Sequence, residues 1–154
     1  GRLQAQSVGM FVGYLKRPDA YESYDGWFET GALARIDADG YIRIVGRAKD
    51  IVIRGGENIP VVEVEDQLYR HPSVEAVAIV AMPDERLGER SCAFVQTKPG
   101  ANFTFDAMIE HLLASGMSKT YLPEKLELVD EFPRTASGKI QKFELRETAK
   151  NFTL

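Results

Sequence analysis

Apolar and polar positions change rhythm several times along the chain. From Ala32 to Gly46 they alternate, as Ala-Leu-Ala-Arg-Ile-Asp and then Tyr-Ile-Arg-Ile-Val-Gly, on either side of Ala38-Asp39-Gly40. Asp-Gly between alternating runs signals a tight turn, so residues 32–46 are expected to form a β-hairpin. After Gly46-Arg47-Ala48-Lys49-Asp50 the short run Ile51–Arg54 reads as a strand ending at Gly55-Gly56. Two glycines there allow positive φ or a close backbone approach.

Pro60 stands where a helix begins, its fixed φ suiting a first turn, and Val61, Val64 and Leu68 share one face. Glu63, Glu65 and Asp66 surround that face, acid being favourable near a helix N-terminus. His71-Pro72 ends the helix, and His71 reads as a capping or surface residue. Residues 74–82 are nearly all apolar and read as a central strand, with a second long strand over 90–97. Thr104 caps a helix whose Phe105, Met108, Ile109, Leu112 and Leu113 form one apolar face, assigned to the core, and Gly116 closes it. His111 falls off that face, on the solvated side. A strand over 125–129 and a short charged helix over 141–149 complete the pattern. Strands and helices mingle, with one strand pair adjacent in sequence, which favours a small α+β domain over a doubly wound one.

Composition narrows the class. The 154 residues are 44% hydrophobic and 27% charged, enough for one domain with its own core plus part of another. A net charge of -4 lacks the basic footprint of a nucleic-acid binder. No apolar run reaches the roughly 20 residues of a membrane span. The single cysteine, Cys92, lies in the apolar run Cys-Ala-Phe-Val and reads as a buried structural thiol. One cysteine excludes an internal disulfide framework and fits a reducing, cytoplasmic setting. Residues 1–14 have the texture of a domain interior, so the chain is expected to be part of something longer.

The candidate chemistry centres on Lys139, in Phe132-Pro-Arg-Thr-Ala-Ser-Gly-Lys-Ile-Gln-Lys142. A nucleoside-triphosphate loop requires Gly-x-x-x-x-Gly-Lys-Ser/Thr. Here Pro133 replaces the first glycine and Ile140 replaces the hydroxyl residue that would hold magnesium. Lys139 is therefore not part of such a loop. Other motifs stand in a fixed order before it: Gly26-Trp27-Phe28-x-Thr30-Gly31, Asp39-Gly40-Tyr41, Gly46-Arg47-x-Lys49-Asp50, and Gly55-Gly56-Glu57-Asn58-Ile59-x-x-x-Glu63-x-Glu65. With Pro133-x-Thr135-x-Ser137-Gly138-Lys139-Ile140 they make essentially the whole chain resemble the adenylate-forming (AMP-binding) superfamily. That superfamily comprises acyl-CoA synthetases, peptide-synthetase adenylation domains and luciferases. The Gly-Gly-Glu-Asn-Ile form looks most like short- to medium-chain or cyclohexanecarboxylate-type CoA ligases.

The resemblance implies a tail of a large N-terminal domain over residues 1–48, with its β-hairpin, and the small mobile C-terminal domain over 49–154. It implies ATP, coenzyme A and a carboxylic acid as substrates, with Mg2+ and the acyl pocket belonging to the N-terminal domain, so that the chain alone would be inactive. It assigns Lys139 as the adenylation lysine, Arg47 to the ribose hydroxyls of the nucleotide, and Lys49 to the hinge. It assigns Gly55, Gly56 and Glu57 to the loop lining the coenzyme A tunnel. Ala32 departs from the pattern, which has an aspartate accepting hydrogen bonds from the ribose. Lys139 also falls in the acceptor pattern for a lysine acetyltransferase and its deacetylase. A peptide-synthetase adenylation domain and a non-catalytic relative with a degraded nucleotide site are the alternatives.

Overall fold

The computed structural model describes residues 1–152, the Pro18 side chain excepted. The chain divides into two units, one over Gly1–Lys49 and one from Asp50 onward.

The first unit is built on strands. Its spine is β3 (Trp27–Ile36), which pairs antiparallel with β1 (Arg2–Ala5), β2 (Ser23–Tyr24) and β4 (Ile42–Arg47). The β3–β4 hairpin is the one expected from the alternating run. Its turn is held by Asp37 Oδ1, which accepts the N–H groups of Asp39 and Tyr41 at 3.1 and 2.9 Å, and Gly40 supplies φ +86°. Register slips on both edges of β3. One slip, against β1, leaves Thr30-Gly31 as a bulge, with Gly31 at φ +70°; the other lies between Leu33 and Ala34. Phe11, Tyr14, Tyr21 and Phe28 pack ring on ring at 5.0–5.2 Å, tying the segment between β1 and β2 to the spine.

The second unit is α+β. Its strands are β5 (Val52–Arg54), β6 (Glu57–Ile59), β7 (Val74–Asp84), β8 (Gly88–Thr97) and β9 (Lys125–Leu128). Its helices are α1 (Val61–Tyr69), α2 (Phe105–Ala114) and α3 (Lys142–Ala149). The sheet runs β6-β5-β8-β7, with β9 joining β8 in parallel. Strand alternation splits β7 and β8 between two cores. Val77, Ile79, Ala93 and Val95 pack with the buried residues of α1 and α2. Ala76, Ala78, Val80, Met82, Cys92 and Phe94 pack with Phe132 and with Leu145 and Ala149 of α3. This double burial explains the apolar run Ala76–Met82 of β7. It does not make β7 central: β8 is the inner strand and β7 lies at the sheet edge. Apolarity on both sides of a strand reports cover on both faces, not neighbours on both edges.

Two readings of side chains change. On α2 only Met108 and Leu112 are buried, whereas Phe105 and Leu113 are each 40% exposed. The helix turns its narrow i, i+4 seam inward and leaves the flank of the stripe in solvent. His111 is half-buried rather than solvated: its Nε2 lies 2.9 Å from the Gln67 carbonyl at the end of α1, and its ring meets His71 edge-on at 5.0 Å. His71 in turn accepts the Ser73 N–H on Nδ1 and packs against Phe103. Burial, then the neighbouring His111 and Lys98, hold its pKa below the ordinary imidazole value.

Candidate functional site

Lys139 sits on a small hairpin between β9 and α3. Arg134 and Ile140 form an antiparallel bridge, Gln141 N–H donates to the Pro133 carbonyl at 2.8 Å, and Thr135 N–H donates to the Lys139 carbonyl at 2.8 Å. Gly138 N–H closes the turn onto Thr135 at 2.8 Å, with Gly138 at φ +83°. The glycine is needed for that left-handed backbone: a Cβ there would meet no atom within 4 Å. Side chains brace the turn further. Thr135 Oγ1 accepts the Lys139 N–H at 3.1 Å and lies 2.9 Å from Ser137 Oγ, and Arg134 Nη1 donates to the Gly138 carbonyl at 2.9 Å. The hairpin is rooted in the core by Phe132, 2% exposed, and by partly buried Ile140. Its fixed backbone thus carries an exposed lysine whose ammonium has no ion-pair or hydrogen-bond partner among the described residues.

Three residues beyond Lys139, Lys142 behaves differently. Its Nζ donates to Glu65 Oε1 at 2.6 Å, and the same oxygen accepts the backbone N–H of Ile79 at the exposed edge of β7. Glu65 therefore joins α1, the sheet edge and the first turn of α3. Burial raises its pKa above the ordinary carboxylate value, only partly offset by Lys142 and the Ile79 N–H. In the sequence Glu65 stands inside a motif, but nothing there marks its partner, which lies 77 positions away.

Gly55 and Gly56 join β5 to β6 as a two-residue turn, Arg54 facing Glu57 in register. Their φ values, +57° and +87°, are both left-handed, as a type I′ hairpin turn demands. A Cβ on Gly56 would meet nothing within 4 Å, whereas one on Gly55 would lie 3.3 Å from Leu87 Cδ2. Glu57 is exposed beside the turn. In the other unit, Ala32 and Arg47 are direct cross-strand partners on β3 and β4. Arg47 is exposed and Ala32 half-buried, its N–H bonded to Thr30 Oγ1 at 3.1 Å. Lys49 lies in a 3-10 turn, Ala48–Asp50, and Asp50 is tied to α3 by an ion pair to Arg146 of 2.7 Å. Among the described residues no three His, Cys, Asp or Glu side chains gather as a metal site.

A family model described as the AMP-binding enzyme C-terminal domain matches residues 63–139, half of the chain. The chain belongs to this family. The matched span runs from the acidic face of α1 to Lys139 itself. Within the AMP-binding enzymes, the chain is 43% identical over 150 residues to a medium-chain fatty-acid–CoA ligase of Escherichia coli strain K12, matching 95% of this chain and 26% of that enzyme. It is 45% identical over 159 residues to the acetate–CoA ligase CCL3 of Humulus lupulus, matching 97% of this chain and 27% of that one. The crystal structure of ATP-bound MatB from Rhodopseudomonas palustris superposes with a TM-score of 0.87 at 34% identity, over 98% of this chain and 30% of MatB. The anthranilate CoA ligase AuaEII, solved with anthranoyl-AMP, gives 0.83 at 31% identity, over 97% of this chain and 30% of that one. The chain spans between a quarter and a third of the length of these relatives. Its α+β unit has the fold of the C-terminal domain of acyl-CoA synthetases.

Proposed function

We propose that the chain is the C-terminal part of an AMP-forming carboxylic acid–CoA ligase, with residues 1–48 ending a large N-terminal domain and 49–154 forming the small mobile domain. In the first half-reaction a carboxylate oxygen attacks the α-phosphorus of ATP and pyrophosphate leaves. In the second, the sulfur of coenzyme A attacks the acyl carbon, AMP leaves, and the thiol proton is released. Lys139 serves the first. Two anions must meet while charge builds on the phosphoryl oxygens, and a cation between them stabilises that transition state. The observation that carries this reading is the exposed, unpaired ammonium on a braced hairpin. A lysine committed to a salt bridge, as Lys142 is, would have to break it first.

Arg47 contacts the ribose hydroxyls, beside Ala32 where the usual acceptor is missing. Lys49 acts as the hinge, a reading supported by the division of the chain between Lys49 and Asp50. Gly55, Gly56 and Glu57 line the path of the coenzyme A thiol, supported by the open space above Gly56. The type I′ turn alone already accounts for both glycines, so the tunnel role rests on that open face and on the family. Mg2+ accompanies ATP and is bound outside this chain. The enzyme acts in the cytoplasm, and acetylation of Lys139, which removes its charge, switches the first half-reaction off.

The test is ATP–pyrophosphate exchange by the full-length ligase. Lys139→Ala is expected to lose about 10²–10³-fold, the scale of one lost transition-state contact, and enzymatically acetylated Lys139 is expected to behave like Lys139→Ala. Undiminished exchange in Lys139→Ala would overturn the assignment. A second reading, a non-catalytic relative, is favoured by one observation only, Ala32. Wild-type exchange with any carboxylic acid excludes it.

A further inference from the structure

A closed circuit of polar contacts meets the Gly55-Gly56 turn at its base. Arg54, next to the turn, donates from Nε to Glu124 Oε1 at 2.6 Å. Glu124 Oε1 also accepts from Arg90 Nη1 at 3.0 Å, and its Oε2 accepts the Ser91 N–H at 3.2 Å. Arg90 Nε donates to Asp84 Oδ2. Asp84 Oδ1 accepts the Arg86 and Leu87 N–H groups at 3.1 and 2.8 Å, which fixes the β7–β8 connection. The Leu87 carbonyl closes the circuit by accepting the Gly55 N–H at 2.9 Å. Arg54, Glu124, Arg90 and Asp84 expose only 16–27% of their side chains. The Leu87 N–H bond and Arg90 hold the Asp84 carboxyl below its ordinary pKa.

We propose that Glu124 is a positioning residue for the thioester half-reaction, acting through this circuit on the Gly55-Gly56 turn. Its carboxylate is the junction that two arginines share, one beside the turn and one on β8. β5 and β6 are only three residues each, and the β5 backbone is tied to β8 by the Ile53 N–H, which donates to Glu89 Oε2 at 2.8 Å. β5 has only one registered pair with β8, Arg54 with Gly88, so the backbone ladder there is minimal. The charged circuit adds a side-chain constraint at the base of the turn, with Glu124 on the far side of Arg54 from it. No part of it reaches the Lys139 hairpin, whose braces are Arg134 and Thr135. Loss of Glu124 should therefore loosen the turn and slow transfer to coenzyme A while sparing acyl-adenylate formation.

The inference rests on the proposed role of the turn, and the experiment keeps the two apart. Glu124→Gln, Asp84→Asn, Gly56→Leu and, as a control on β9 outside the circuit, Glu127→Gln are made in the full-length ligase. Both half-reactions are measured separately, the second from supplied acyl-adenylate, and amide exchange of Gly55 is followed. Expected are a tenfold or greater loss in the thioester step for Glu124→Gln and Asp84→Asn, adenylation within twofold of wild type, and faster Gly55 exchange. Glu127→Gln should match wild type. Equal loss in both half-reactions, or no loss with Gly56→Leu impaired, overturns the positioning role. If Gly56→Leu itself leaves the thioester step intact, the reading of the turn fails. Unchanged Gly55 exchange in Glu124→Gln then overturns the circuit independently.

Discussion

Ala32 stands directly across the β3–β4 ladder from Arg47, so an aspartate there would stand on the cross-strand partner position of Arg47. A hydrogen bond to a charged group contributes about 1.5–3 kcal/mol, so Ala32→Asp in the full-length ligase should tighten nucleotide binding roughly ten- to a hundredfold by the same scale. Titration of ATP by calorimetry checks this; unaltered affinity would mean the ribose is held by other groups. Ala32 was readable from sequence only against the family pattern, since nothing in its local residues marks a missing acceptor. Cys92 was readable from its neighbours alone. It is fully buried on β8, in the core that includes Leu145 and Ala149 of α3, and burial pushes its thiol up to about 12.

Among the elements, strands and helices followed their periodicities closely, because each has a face that the opposite layer must cover. The stripe on α2 was read too broadly, since a helix packed on one partner seam buries its i, i+4 positions and can leave the flanks wet. The edge position of β7 was illegible, because the sequence does not say which strand finds two neighbours. That edge is where Glu65 acts, and its environment makes a pH prediction. The folded pKa is raised, so the native state keeps the proton to higher pH than the unfolded chain. Stability should therefore fall as pH rises from the ordinary carboxylate range through the raised value, the reverse of a salt-bridged surface acid. Glu65→Gln should remove that slope. Urea midpoints across the acidic to neutral range measure it, and an unchanged slope in the variant would assign it to other groups. The Gln side chain still accepts the Ile79 N–H, so the edge stays covered.

For the whole molecule, the order of short motifs by itself points to the family, and the fold agrees with it. What the motifs could not convey is how each is held. The Lys139 hairpin depends on Arg134 and Thr135, and the Gly55-Gly56 turn on Asp84, Arg90 and Glu124. These partners are surface-type residues scattered across the chain, and only the fold brings them together. The resulting arrangement gives the small domain two separately braced loops, one carrying a free cation and one an open glycine turn. We propose that these loops serve different half-reactions. The most direct measurement is the rate of each half-reaction in full-length Lys139→Ala and Gly56→Leu, with folding monitored by circular dichroism because Leu at φ +87° is strained. Lys139→Ala should lose acyl-adenylate formation and retain thioester formation from supplied adenylate, and Gly56→Leu should do the reverse. Loss of the same half-reaction in both variants would contradict the claim.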